Sequence, residues 1–491
     1  MAGPLHGRRG ALLLLTSVEL VVFLDVSIVN VALPAIGAAL GMTVVGLAWV
    51  GTAYQVTFGG FQLGAGRATD VLGRRRLFQA GLVVFTAGSL LAGMAAWPWL
   101  LLTARALQGV GAAILVPAEL SLLTVMFTEP AAYRRAFGWW SAMGAVGAAG
   151  GVVLGGLIVE LLNWPRIFLI NVPIGIAGLM AGGRLLPGDD TRSPAAARSR
   201  LDLPGIVTGT GALLLLVYVV TVAAEGRLDA FAALLGGLGL LLAIGFVVVE
   251  RRSVDPLLPF RFFRVPDVTG ATMASVIVGA AHVPAFVFLA LYFQKVQGYT
   301  ALESGLAVLP IAIGNLLVSR LAVPRALARL GPRMVLTLGM GFMALGLALL
   351  SRMPVDADLV TDYLPGALLF AVGLPAVFVG STLPAVKAVA EHETGVVSGL
   401  VNTAQRIGAG LGVAVLAALA EQRTNASSGP EAVSLNEGYR LTFLAAAAIA
   451  LAGLMVGLWL VRRGRNAVAP ADGAAAETGP ETSSSASEHV S

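Results

Sequence analysis

Residues 11–34 read ALLLLTSVELVVFLDVSIVNVALP, a run whose only charged side chains are Glu19 and Asp25. About 20 mostly apolar residues suffice to cross ~30 Å of hydrocarbon as a helix. In lipid every backbone N–H and C=O must find its partner within the segment, so such a run is helical. It is too long for the apolar core of a signal peptide and carries a carboxylate inside it, so it reads as a retained membrane helix. A carboxylate at mid-membrane depth is costly, and by default it marks an ion or substrate path.

The same pattern recurs along the chain. Apolar runs cover about 11–34, 47–66, 77–97, 99–126, 136–159, 167–186, 204–223, 230–250, 268–293, 303–324, 334–351, 363–385, 396–419 and 440–461, which predicts fourteen transmembrane helices. Composition agrees. Of the 491 residues 57% are hydrophobic and only 12% charged, with mean hydropathy +0.86, whereas a soluble domain carries about 25% charged residues. The 61 glycines suit helices that approach one another closely in a membrane. The absence of cysteine excludes disulfides and thiolate metal sites, and four scattered histidines do not make a metal centre. A net charge of +5 is not a nucleic-acid signal here, because the basic residues sit in short clusters between apolar runs. With the N-terminus placed in the cytoplasm, most of the 32 Lys and Arg fall in cytoplasmic segments. The expected order is a cytoplasmic N-terminus (1–10), a six-helix bundle (11–186), a linker (187–203), an inserted helix pair (204–250), a second linker (251–267), a second six-helix bundle (268–461) and a disordered cytoplasmic tail (462–491).

Two internal matches point to duplicated halves. LGRRRLFQAG (72–81) follows the second span and LGPRMVLTLG (330–339) the tenth. Gly138, Gly147 and Gly151 in the fifth span repeat the spacing of Gly399, Gly408 and Gly412 in the thirteenth. Transporters are often built from such repeats, with the site between them. The seventh and eighth spans have no counterpart.

LDVSIVNVALP (24–34) and WPRIFLINVPIG (164–175) resemble signatures of the fourteen-helix drug:proton antiporter branch of the major facilitator superfamily. GRATDVLGRRR (66–76), RALQGVGAA (105–113), YFQKVQGYTALESGLAVLP (292–310) and SGLVNTAQRIGAGLGVA (398–414) are similar to other patterns of that branch, so the resemblance runs from about residue 11 to 461. It implies an all-α major facilitator fold, two six-helix bundles plus two inserted helices, with helices 1, 4, 9 and 12 lining the path. It also implies that Arg105, with Gln108 in the same motif, tunes a proton-binding carboxylate, Asp25.

The residues carry their own physics. Burial penalises a charged carboxylate, so Asp25 can take up and release a proton. Glu19 and Asn30 lie eleven residues apart and share a helix face; Asp25 points elsewhere, leaving open which face sees the cavity. Arg105 stays charged and needs a partner or water. Glu119, fourteen residues on, either lines the cavity, where it favours cationic substrates or a second proton, or reaches water at the helix end. Gly66, Asp70, Gly73 and Arg74 are read as a tight gating loop whose charge network can break and re-form. Gly138, Gly147, Gly151, Gly155 and Gly156 match the antiporter glycines at every position, and Val152 stands where the family usually has Pro, removing an expected kink. In the thirteenth span Gln405-Arg406 reverses the usual Arg-Gln order, turning Arg406 about 100° from the expected direction. His282 is either a proton relay or a buried hydrogen bonder.

No phosphate-binding loop, Ser/His/Asp set or zinc pattern is present, which argues against ATP driving and against an enzyme. The expected function is proton-driven export of small amphipathic molecules from a bacterial inner membrane, both termini cytoplasmic, with no cofactor. The expected partners are the substrate, protons and the bilayer. A proton-coupled importer on the same fold and a non-transporting membrane receptor are the alternatives.

Overall fold

The computed structural model describes residues 5–188, 202–224, 226, 228–253, 256–389 and 393–468. Among these every regular element is helical: α1 (Leu5–Leu40), α2 (Val44–Leu72), α3 (Arg74–Gly93), α4 (Pro98–Met126), α5 (Pro130–Leu161), a single turn α6 (Arg166–Leu169) leading into α7 (Asn171–Leu185), α8 (Leu203–Ala224), α9 (Ala230–Arg252), α10 (Pro266–Leu291), α11 (Ala301–Leu330), α12 (Pro332–Leu350), α13 (Leu364–Lys387), α14 (Thr394–Ala426) and α15 (Glu431–Val468). With α6 and α7 taken together these are fourteen membrane-length segments, as expected. Thirteen are long and apolar enough to cross a bilayer. The other is α2, whose Thr52, Gln55, Thr57 and Gln62 are buried inside the protein, so its polarity faces other helices.

The helices outrun the apolar runs because polar flanks cap them. Thr43 accepts from Gly46 N–H at 3.2 Å to start α2. Thr300 and Glu303 form a reciprocal capping box on α11, at 3.2 and 2.9 Å. Helix α15 continues to Val468, so the expected tail does not begin at 462; residues 469–491, and most of the 187–203 linker, lie outside the described residues.

Helices α1–α7 pack mainly among themselves, as do α10–α15. The glycine repeat is physical. A Cβ on Gly147 or Gly151 would strike the backbone carbonyls of Leu20 and Leu24 in α1, and one on Gly408 or Gly412 those of Val276 and Ala280 in α10. Each pair thus lays one helix onto another with the same four-residue step. Gly73 and Gly331 match too: both end a helix and start the next in one residue, with φ of +108° and +75°, a backbone conformation that costs a side-chain-bearing residue.

The two halves meet where α2 faces α14, α5 faces α11 and α1 faces α10. At the end away from the chain termini they share one apolar core, in which Val31, Leu33 and Ile36 join Val287, Leu291 and Val308. Gln294 Nε2 also donates to Val31 O at 2.8 Å there, and Val45 N–H to Glu421 Oε2 at 3.3 Å. At the opposite end the first half keeps its own core, with Leu15, Val22, Phe58 and Leu122. Helix α8 lies over the α2–α14 seam, where Thr210 Oγ1 donates to Gly60 O at 2.9 Å. Helix α9 packs on α8 and leaves Leu234, Leu241 and Ile244 exposed.

Candidate ion and substrate site

Asp25 sits midway along α1 with no exposed surface. Its Oδ2 meets Arg105 of α4 at 2.5 Å. Its Oδ1 accepts from Gln108 Nε2 at 3.0 Å and from Asn171 Nδ2, on α7, at 2.8 Å. Arg105 is equally buried. It donates from Nε to Val50 O at 3.1 Å and toward Gln108 Oε1 at 2.8 Å, and its guanidinium lies 4.5 Å from the Tyr54 ring centre. Ser89 of α3 completes the set, accepting from Gln108 Nε2 at 2.8 Å while donating to Phe85 O at 2.9 Å. Arg105 and Gln108 reach one carboxylate because residues three apart share a helix face. Taking two charges out of water is repaid only when the remaining lone pairs and protons are satisfied, and Val50 of α2, Gln108 of α4 and Asn171 of α7 supply those bonds here. The arrangement is a closed, buried charge pair.

The structure thus brings Asp25, Arg105 and Gln108 together in one cluster. Asn171 and Ser89 join the cluster without being among the expected site residues. Asn171 stands in the WPRIFLINVPIG stretch, where an amide inside an apolar run was an available signal; Ser89 carries none, since a serine in a helix commonly bonds its own backbone. The Asp25 face of α1 turns toward α4 and α7. Asn30 is only partly buried and joins neither cluster.

Glu19 and Glu119 form a second cluster. Both are buried, and each carboxyl lies within electrostatic reach of the other. Trp140 Nε1 of α5 donates to Glu119 Oε2 at 2.7 Å. Glu119 thus does not reach water at the helix end, because α5 covers it.

Arg406 projects from α14 into the first half. It donates to Gln55 Oε1 at 3.1 Å and lies 4.1 Å from the Phe58 ring centre and 5.9 Å from that of Phe23. His282 Nδ1 donates to Val278 O of its own helix at 2.7 Å and packs edge-on against Phe378, so its bonding is structural and links it to no carboxylate.

The expected gating loop shrinks to one residue. Gly66 and Asp70 lie within α2 and Arg74 begins α3, because Gly73 turns the chain alone. The Asp70 side chain lies outside the described part of the structure. Arg75, rather than Arg74, donates across to Gly183 O of α7, at 2.5 Å. Among the antiporter glycines, Gly147, Gly151 and Gly155 face α1 in their own half. Only Gly156 meets the other half, against Ala301 and Leu302, while Val152 O lies against Gly305; a Cβ on Gly138 would meet open space. Sealing between halves thus rests on Gly156 and Val152 more than on the glycine row.

Residues 15–413 match the family model described as Major Facilitator Superfamily. The chain is 39% identical to a puromycin resistance protein of Streptomyces alboniger, over 84% of this chain and 82% of that one. It is 38% identical to a cephamycin export protein of Amycolatopsis lactamdurans, over 85% and 86% respectively, and 32% identical to a tetracenomycin C resistance and export protein of Streptomyces glaucescens, over 86% and 78%. A bacterial homologue of the human lysosomal transporter Spinster, solved inward-facing and unoccupied, shares the fold with a TM-score of 0.66 at 16% identity, over 94% of this chain and 98% of that one.

Proposed function

This chain belongs to the Major Facilitator Superfamily, a multi-pass membrane transporter family, and on that premise we propose that it is a proton-coupled antiporter exporting small amphipathic molecules, antibiotics or related metabolites, from the cytoplasm. The observation that carries this reading is the buried Asp25–Arg105 pair, held by Gln108 and Asn171. A proton arriving at Asp25 neutralises the carboxylate and frees Arg105 to find other partners; departure of the proton restores the pair. A switch that alternates between these states can bias the two halves toward one opening or the other.

The distribution of Lys and Arg supports cytoplasmic termini in a bacterial inner membrane. The end at which the halves share a core is then external, and the arrangement is closed to the outside. Export, rather than import, is supported by the resistance and export proteins among the relatives. The driving ion is the proton, and no cofactor is needed.

The test is uptake of a fluorescent amphipathic compound into inside-out membrane vesicles, with and without an imposed acid interior. Wild-type vesicles should accumulate it only with the gradient, and Asp25→Asn vesicles of equal protein content should not. Accumulation that ignores the gradient, or that survives Asp25→Asn, would remove proton antiport. Uptake in right-side-out cells instead would assign an importer.

A further inference from the structure

We propose that Asp202 and Glu250, at the base of the inserted helix pair, form a binding site for a hydrated divalent cation, cytosolic Mg²⁺, which fastens α8 to α9 and to the chain leaving α9. The site is independent of the export reading.

Asp202 stands immediately before α8, and Glu250 lies in the last turn of α9. Each acid spends one oxygen on the backbone. Asp202 Oδ1 accepts from Gly205 N–H at 2.9 Å, and Glu250 Oε2 accepts from Leu258 N–H at 2.9 Å. The other two oxygens, Asp202 Oδ2 and Glu250 Oε1, are buried and have no hydrogen-bond partner. The residues themselves are 8% and 3% exposed. These two free oxygens converge on one place. A Cβ built on Gly205 would stand 2.8 Å from Glu250 Oε1 and 2.9 Å from Asp202 Oδ2, so both overhang the same glycine Cα. Among the described residues neither acid takes part in an ion pair.

A backbone N–H bond to each carboxylate favours its charged form, while the two like charges repel each other. A buried charge without a counter-charge is costly. A single shared proton neutralises one acid and leaves the other bare, whereas a divalent cation neutralises both. Carboxylate oxygens are hard ligands that suit Mg²⁺, Ca²⁺ or Mn²⁺ rather than soft metals. Mg²⁺ is commonly held by one or two carboxylates and keeps several waters, while Ca²⁺ takes about six to eight oxygens; two acids therefore fit Mg²⁺. The ion would act on the seam between the halves. One turn beyond Asp202, Ile206 of α8 fills the space that Gly64 of α2 leaves open. Leu258, whose N–H Glu250 holds, packs against Phe262, Val268 and Val397 of the second half. An ion across Asp202 and Glu250 thus sets how α8 rides the seam relative to the second half.

The probe is Mn²⁺, titrated into purified full-length protein in detergent after chelator treatment, with the free ion read by its electron paramagnetic resonance signal and Mg²⁺ as competitor. Wild type should bind Mn²⁺, release it to Mg²⁺, and melt several degrees higher with Mg²⁺ than without. Asp202→Asn and Glu250→Gln each keep an oxygen for the backbone N–H and lose the charge. Each should weaken Mn²⁺ at least about tenfold and lose the melting shift. Gly205→Ala keeps both acids and sets a methyl against their free oxygens, so it should weaken Mn²⁺ as well. No Mn²⁺ on wild type, affinity unchanged in both acid variants, or affinity unchanged in Gly205→Ala would each overturn the proposal. So would a wild-type melting temperature that responds to pH and not to Mg²⁺, which would assign a shared proton instead. The wild-type titration and melting series decide even if a variant does not fold.

Discussion

Arg406 of α14 stands 4.1 Å from the centre of the Phe58 ring in α2, so a cation of one half rests on an aromatic face of the other. Sequence order had turned this arginine away from the direction the family pattern implies, and the structure gives the turned side chain a use. Its guanidinium caps the ring while Gln55 accepts one of its N–H bonds. The backbone at Gly59 is what lets α14 come this near, since a Cβ there would stand 2.9 Å from Arg406 Cβ.

The first prediction concerns that seat. A partly desolvated cation–π contact is worth ~1–2 kcal/mol, and only a flat guanidinium can both stack and reach Gln55. Arg406→Met should lower the detergent melting temperature and cut transport several-fold. Arg406→Lys should fall between the two. Equal melting of all three proteins would show that the contact does not hold the halves.

A second prediction tests Asn171, whose Nδ2 donates to Asp25 Oδ1 at 2.8 Å. A hydrogen bond to a charged group contributes about 1.5–3 kcal/mol. Asn171→Leu removes a donor to the buried carboxylate, so the detergent melting temperature should fall and gradient-driven export should drop several-fold. Asn171→Asp should disturb both more severely, by setting a second carboxylate beside the first. Unchanged melting and export in Asn171→Leu would show that this bond does not hold Asp25 in place.

What the sequence revealed about these sites follows from how isolation and partnership differ. Asp25 and Arg105 each stand out in the sequence as a full charge inside an apolar run, and it is the family resemblance that couples the two. The meeting of Glu19 with Glu119 was not legible, because helical periodicity assigns each acid to a face of its own helix but does not say which helix lies opposite. The same limit hid the direction of the glycine row. Spacing showed that Gly147, Gly151 and Gly155 share a face, and only the packing shows that this face meets α1 rather than the other half. The count of fourteen segments was legible throughout, since length and apolarity are local properties. The gating loop was drawn too long because Gly66 reads as a breaker, yet a helix buried among others tolerates it.

The third prediction uses that packing. A Cβ on Gly147 would collide with Leu20 O, a backbone atom that cannot swing aside, whereas one on Gly150 would meet nothing within 4 Å. Overpacking of this kind costs ~1–3 kcal/mol, and Gly→Ala in a free helical position gains up to ~1 kcal/mol. Gly147→Ala should therefore lower the melting temperature and Gly150→Ala should leave it equal or raise it. The repeat extends the prediction to α14, where Gly408→Ala should behave like Gly147→Ala because its Cβ would meet Val276 O. A neutral Gly147→Ala would mean that α1 and α5 are less tightly apposed.

The last prediction separates charge from packing at Asp25. Changing Asp25 to Asn leaves Arg105 buried with Val50 O and Gln108 Oε1 as acceptors but no counter-charge. Breaking a buried pair from one side costs about 3–5 kcal/mol, whereas replacing both charges by neutral groups of similar size is often neutral or stabilising. Asp25→Asn should melt well below wild type, and adding Arg105→Gln should restore much of the loss, because no uncompensated charge then remains. Export should be absent in both, since neither retains a carboxylate to load. Melting temperature and transport would thus move independently across the three proteins. If the double variant melted as low as Asp25→Asn, the cost would lie in lost hydrogen bonds to Gln108 and Asn171 rather than in the stranded guanidinium. If the double variant exported with a gradient, the proton would have to be carried elsewhere than on Asp25.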